Sequence, residues 1–282
     1  MTHVESHQGL GTGSLVSVSD SATGVFVPVN YPPNPSPLPS YPADLQASVG
    51  SCAVTVSRID RSIHIVQPPP PANPPPPQVF LDAGPFLTIT DTTPTLTQVM
   101  KELSQGIYNA TTISTTIGIP GLPPTTTVSP YPLYLFPGPF TLDNGVGGAD
   151  IGPFVAPLVN PTPVNWTNLV VGASIDRTQG TQLTWTGGDP NGVVAITGES
   201  IAQAGTVSYS GFFYCFANAS DGQFTVPPFI TSQLPATGPA VTGGLGILEI
   251  TALIDQLITT VPGIDLISYF SQQAVGATVV YQ

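Results

Sequence analysis

The sequence predicts an all-β protein built as two antiparallel β-sandwich-like domains joined through proline-rich loops. Three observations point there. Short stretches alternate apolar and polar residues at a period of two, as half-buried strands do. Gly, Pro, Asn or Asp punctuates them at short intervals. The surface polarity comes from Thr, Ser, Asn and Gln rather than from charge, since charged residues make up only 7% of the chain, against about a quarter in an average soluble protein.

In the first half the expected strands are Ser14–Val18, Val25–Val29, Ala53–Ile59, Ser62–Val66, Phe86–Thr90, Thr112–Ile117 and Tyr131–Phe136. Val99–Ser104 is expected as a short helix, and residues 1–10, which hold His3 and His7, as a frayed end. Residues 67–78 carry Pro68-Pro-Pro-Pro71 and Pro74-Pro-Pro-Pro77, a polyproline stretch that cannot enter a central strand because proline lacks the N–H. Asp143 to Asp150 is a glycine-rich loop. Val159-Asn-Pro161-Thr-Pro163 marks the boundary between a β-rich domain over residues 1–160 and an Ig-like sandwich over residues 161–282.

The second half has clearer signals. Val164–Val171 opens it. Thr181-Gln-Leu183-Thr-Trp185-Thr alternates, Gly187-Gly-Asp189-Pro190-Asn191-Gly192 turns, and Gly192–Thr197 returns, which predicts a hairpin. Val207, Tyr209, Gly211, Phe213 and Cys215 share one face of a long strand. Asp221-Gly222 leads into Gln223–Val226, stopped by Pro227-Pro228. Leu245–Ala252, Ile264–Phe270 and Ala277–Tyr281 complete the set. Ile247 to Val261 fits a helical spacing too, but its β-branched residues and Pro262 favour strand and loop.

Several of these segments resemble a group of uncharacterised secreted bacterial proteins. They are Leu81-Asp-Ala-Gly84-Pro85, Leu135-Phe-Pro-Gly138, Gly148-Ala-Asp150, Trp166-Thr-Asn168, Thr184-Trp185-Thr-Gly-Gly-Asp189-Pro-Asn-Gly192, Phe224-Thr-Val-Pro227 and Val280-Tyr-Gln282. The likeness covers the second half and part of the first. It implies secretion and a β-sandwich fold, and brings no catalytic residue with it.

Charge narrows the function. Arg58, Arg61, Lys101 and Arg177 stand against sixteen acids, for a net charge of -12. Nucleic acid and anionic lipid need fields of Lys and Arg, so neither is an expected partner. Apolar runs break well short of the roughly 18 residues of a spanning helix, which argues against membrane insertion. Met1 to Gly9 lacks the basic and apolar segments of a signal peptide, and the chain reads as a mature, extracellular form.

Histidine chemistry has little to draw on, with His64 placed on the polar face of a strand and His3 and His7 at the terminus. No Gly-x-Ser-x-Gly elbow, zinc spacing or phosphate loop is present. Cys52 and Cys215 leave two readings open, buried free thiols or a disulfide closing a long loop. Asp143, Asn144 and Asp150 are the best candidates for a calcium site, because calcium takes hard oxygen ligands in glycine-rich loops. Otherwise no cofactor is expected. A carboxylate-pair hydrolase drawing on Asp143, Asp150, Asp189 and Asp221 needs two acids about 5–9.5 Å apart, whereas turn aspartates are explained by local backbone bonding. Trp166, Trp185, Tyr131, Tyr134, Tyr209 and Tyr214 are candidates for stacking on polysaccharide, though the two tryptophans read better as core. Asn109, Asn165 and Asn218 each begin an Asn-x-Ser/Thr glycosylation acceptor.

The leading expectation is a non-enzymatic structural protein, a subunit of an extracellular fibre, surface layer or matrix. Low charge and β-branched faces leave strand edges compatible with pairing between copies into a homopolymer. One version has the Gly9–Val29 arm adding a strand to a neighbour. The alternative is an extracellular carbohydrate-binding or adhesion module.

Overall fold

The computed structural model describes residues 1–10, 13–28, 48–60, 79–91, 96–129, 132–238, 244–258 and 261–282. The protein is all-β. Its strands are β1 (Thr2–Leu10), β2 (Gly13–Val25), β3 (Cys52–Asp60), β4 (Phe86–Asp91), β5 (Leu96–Ser104), β6 (Ile107–Gly118), β7 (Thr125–Ser129), β8 (Gly138–Asp143), β9 (Val155–Asn160), β10 (Val164–Trp166), β11 (Ala173–Ile175), β12 (Thr181–Gly187), β13 (Val193–Ala204), β14 (Val207–Asn218), β15 (Gln223–Val226), β16 (Leu245–Ile258) and β17 (Ile267–Tyr281), with a one-turn helix α1 (Pro228–Thr231). No described helix is long and apolar enough to cross a membrane.

Fourteen strands form one sheet in the order β3-β14-β13-β16-β17-β1-β2-β6-β5-β4-β8-β9, with β11 also against β17 and β7 also against β6. The remaining three, β10-β12-β15, form a small second sheet. Every described ladder is antiparallel except β1 on β17 and β11 on β17. The large sheet crosses the 160/161 boundary, since β3 pairs with β14 and β1 with β17.

Two apolar cores lie on this sheet. One sits under the small sheet, where Val164, Trp166, Leu183, Trp185 and Val226 meet Val194, Ile196, Phe213, Leu248, Ile250 and Tyr281 of the large one. The other gathers Leu87, Ile89, Met100, Tyr108, Tyr134, Phe140, Phe154, Leu158 and Tyr269. Each such side chain, fully buried, contributes roughly 1.5–3 kcal/mol, so both cores are substantial.

Several expectations change. Residues 1–10 are not frayed: β1 lies inside the sheet between β17 and β2. The segment Gly9–Val29 likewise belongs to the chain's own sheet as far as Val25, where β2 runs against β6. Val99–Ser104 is no helix but part of β5, because Gln98 and Met100 alternate inward at a period of two. The expected strand at 164–171 keeps only Val164–Trp166, and the two at 264–270 and 277–281 are one continuous strand, β17. Segment 247–258 is strand, as its β-branched residues favour. Ser62–Val66 with His64, the polyproline stretch 67–78, Val29 and Tyr131 lie outside the described residues.

The hairpin at 181–197 is the most informative correction. β12 pairs with β10 and β15, whereas β13 pairs with β14 and β16. The turn therefore carries the chain from the small sheet to the large one instead of folding it back. Gly187 and Gly188 both have positive φ, 82° and 79°, which swings the chain out of its ladder. A Cβ on Gly187 would stand 2.9 Å from the Pro163 carbonyl oxygen, so only glycine fits this corner.

Residues 132–136 form no strand. Side chains complete their backbone bonds. Asp20 accepts N–H bonds from Tyr134 and Leu135 (2.9 Å for the latter) and pairs with His3 Nδ1 at 2.6 Å. Gln273 donates to the Leu135 carbonyl at 3.1 Å and Asn160 to the Phe136 carbonyl at 2.9 Å. Asn160 Oδ1 in turn accepts from Tyr269 and Ser271. A segment buried without a ladder needs such partners.

Candidate functional site

The free end of the large sheet at β3 is the best candidate for a functional surface. β3 pairs with β14 over Cys52–Asp60 and, among the described residues, with no second strand. Its neighbour fixes it firmly. Cys52 and Cys215 stand opposite each other in the ladder and form a disulfide across 163 residues, and Cys52 and Val54 pack on the core beneath the small sheet. The sequence Cys52-Ala-Val-Thr-Val-Ser-Arg-Ile-Asp60 holds no Pro or Gly to interrupt the strand.

Beyond Val54 the strand is open. Residues 55–59 are exposed, with Val56 at 52% and Ile59 at 53%. Arg58 is 57% exposed and makes only a long in-strand pair with Asp60, 3.8 Å, worth little in solvent. Between β3 and the chain after α1 runs a groove of about 260 Å³ lined by Val56, Ser57, Arg58, Tyr209, Ser210, Gln233 and Pro235. Arg177 anchors its far wall by donating to the Leu234 carbonyl at 2.6 Å. Thr231 Oγ1 donates to the Arg177 carbonyl at 2.9 Å.

Natural sheets protect exposed edges by shortness, charge or proline. The other described edges follow that rule: β7, β10, β11 and β15 span five residues or fewer, and β9 carries Pro157. β3 is nine residues long and carries a single ion pair.

The remaining candidates serve the fold. In the loop after β8, Asn144 is buried, and its carboxamide donates to the carbonyls of Ala83 and Gly152, both at 3.0 Å, and accepts from the Phe154 N–H at 2.8 Å. Asp143 accepts from the Gly145 N–H. Asp150 accepts from the Asp82 N–H at 2.8 Å, while Asp82 accepts from Gly84 at 2.7 Å and from Ala149 at 3.3 Å. Asn144 is thus a clasp between two loops and not an open calcium ligand. Among the described residues no three His, Cys, Asp or Glu side chains gather in one place. Asp82 is the residue that reading the sequence alone missed, and Leu81-Asp-Ala-Gly84 is the signal that flagged its segment.

Asp189 accepts from the Asn191 N–H, and Asp221 from the Asn218 amide. Both stabilise their own turns. Trp166 and Trp185 are core residues at 8% and 3% exposure, their indole N–H groups bonded to Asn168 and to the Ala219 carbonyl. Tyr134 and Tyr214 are buried as well, which leaves Tyr209 as the accessible ring of the described set. Asn165 and Asn218 are exposed, whereas Asn109 is half-buried in β6 and donates to the Ala22 carbonyl.

Glu249 lies half-buried on β16. Burial pushes its carboxyl above the usual carboxylate range, partly offset by a hydrogen bond from Thr251. Desolvation raises the Tyr134, Tyr269 and Tyr281 hydroxyls well above the ordinary tyrosine value, with Asp20 adding to the effect at Tyr134 and Glu199 at Tyr281.

No family model, curated protein or solved structure matches this chain.

Proposed function

We propose that this is a non-enzymatic, extracellular assembly protein whose copies associate through strand edges into a fibre, layer or matrix. One observation carries the proposal: β3 is a long, stapled edge strand with half-exposed Val56 and Ile59, no Pro or Gly, and its charge confined to the Arg58–Asp60 pair. Unpaired N–H and C=O groups along such an edge recruit another strand by main-chain hydrogen bonding. The low charge of the chain and its disulfide suit an oxidising environment outside the cell. The turn aspartates serve their own backbone, which agrees with a scaffold rather than a reaction centre.

Light scattering of the purified chain over a range of concentrations, with electron micrographs of the same samples, tests the proposal. Mass well above 29.1 kDa, growing with concentration and visible as particles or filaments, is the expected result. A monomer at every concentration would falsify it.

A further inference from the structure

We propose that the groove beside β3 takes the proline-rich segment of a second copy, residues 68–77. This rests on the assembly reading above: it keeps the β3 rim as the surface that meets a neighbour and names what it meets. The segment Pro68-Pro-Pro-Pro71-Ala-Asn-Pro74-Pro-Pro-Pro77 holds eight prolines in ten residues and no charged side chain.

Hydrogen-bond chemistry selects this ligand. Prolines present carbonyl acceptors and no N–H, so a run of them needs a surface of donors. The groove supplies one. Arg58 offers a fork of N–H groups, and its contact with Asp60, at 3.8 Å, is longer than a hydrogen bond. Gln233 gives one amide N–H to the Phe229 carbonyl at 2.8 Å and keeps a second. Ser57 and Ser210 share one hydroxyl bond at 2.7 Å, which leaves the other proton to donate. Along β3, alternate residues turn their N–H away from β14. Because Asp60 stands beside Arg58, the surface is close to neutral, which suits an uncharged ligand and gives an acidic one little advantage.

Apolar surface matches as well. Tyr209 stands opposite Arg58 in the ladder and is 37% exposed. With Val56 and Pro235 it gives the groove an aromatic and aliphatic lining, and exposed Phe229 lies on α1, which also borders β3. Proline-rich chains dock in such aromatic-lined grooves, because little freedom is lost on binding. The volume of about 260 Å³ suits a few proline rings and not the side of a folded domain. Residues 61–67, which join β3 to the first proline, contain no Gly, Pro, Asn or Asp, the residues that reverse a chain tightly. That favours the segment of another copy over the chain's own. Groove and segment are different surfaces, so every added copy brings a fresh groove and the contact propagates.

Two altered forms of the full chain test this, with circular dichroism to check that both fold. One carries Tyr209→Ala in the groove. The other carries Pro68→Ser to Pro71→Ser and Pro74→Ser to Pro77→Ser. In light scattering the unaltered chain is expected to form multiples of 29.1 kDa. At the same concentrations each altered form alone is expected to stay a monomer, and their mixture to give dimers, since each supplies the surface the other lacks. A labelled synthetic peptide of residues 67–78, followed by fluorescence anisotropy, is expected to bind the proline-replaced chain with little dependence on salt. Adding Tyr209→Ala to that chain is expected to weaken the peptide about tenfold or more. Assembly that survives the proline replacement, a mixture that stays monomeric, or a peptide that does not bind overturns the docking while leaving assembly standing. An unaltered chain that never exceeds monomer mass overturns both, and peptide bound by the proline-replaced chain would then assign the groove to the chain's own segment.

Discussion

Replacing Gly198 by alanine is expected to be among the most damaging single-methyl changes in this protein. Gly198 lies on β13 in the middle of the large sheet, opposite Phe213 on β14 and Leu248 on β16. A Cβ there would fall 2.1 Å from Phe213 Cε1, 2.5 Å from Phe213 Cζ and 2.7 Å from the Tyr281 hydroxyl. Neither ring has room to retreat, since Phe213 is 1% and Tyr281 0% exposed. Tyr281 also donates across this position to the Ile247 carbonyl at 3.0 Å. Overpacking a filled core costs about 1–3 kcal/mol, and breaking the buried hydroxyl bond adds about 1–3 kcal/mol. Removing the glycine's freedom in the unfolded chain returns only about 0.4–1 kcal/mol. A net loss of about 1–5.5 kcal/mol follows. At about 2 °C per kcal/mol, the lower end expected of large chains, the midpoint falls by about 2–11 °C. Thermal melts by circular dichroism measure it. Combined with Phe213→Leu, which removes the clashing atoms, Gly198→Ala should cost markedly less than it does alone. A midpoint unchanged or raised by Gly198→Ala would refute the packing described here.

Three further outcomes are expected. Reducing the Cys52–Cys215 bond releases a loop of 163 residues and should lower stability by about 4–5 kcal/mol in the chain-entropy account; comparison of denaturant midpoints with and without reductant measures it, and coincident curves would contradict the assignment. Asp20→Ala strips the Tyr134 and Leu135 N–H groups of their acceptor, and at about 1–3 kcal/mol for each buried orphan the loss should be about 2–6 kcal/mol, with hydrogen exchange at those two amides accelerating first. Above the ordinary tyrosine value near pH 10 the unfolded chain ionises Tyr134, Tyr269 and Tyr281 more readily than the folded one does. The stabilising contribution is complete below that pH and is lost above it at about 1.4 kcal/mol per unit for each ring, so spectrophotometric titration should show these phenols ionising together with unfolding. A smooth, reversible titration of all tyrosines near pH 10 would contradict their burial.

The candidate surface was only half legible before the structure. Ala53–Ile59 alternates and so declares itself a strand, but an edge strand and a half-buried central one share the same alternation. That β3 is terminal depends on the partner found by β14, 163 residues away along the disulfide. The loop residues Asp143, Asn144 and Asp150 presented calcium-type oxygens. Only the approach of the Asp82–Gly84 segment tied Asn144 and Asp150 into a clasp, while Asp143 bonds the Gly145 N–H of its own turn.

Sequence alone determined the class of fold and most strand positions, because period-two burial and the chemistry of Gly, Pro, Asn and Asp act over a few residues. Those local signals placed β3, β4, β12, β14 and β15 closely, and of β13 and β16 the starts but not the ends. Tertiary structure decided which strands are neighbours: β1 between β17 and β2 in place of a loose end, β12 and β13 in different sheets in place of a hairpin, and β3 and β9 at the two rims. Pairing is settled by which apolar faces can be buried together across the whole chain, and backbone hydrogen bonds, being the same at every residue, carry no address of their own.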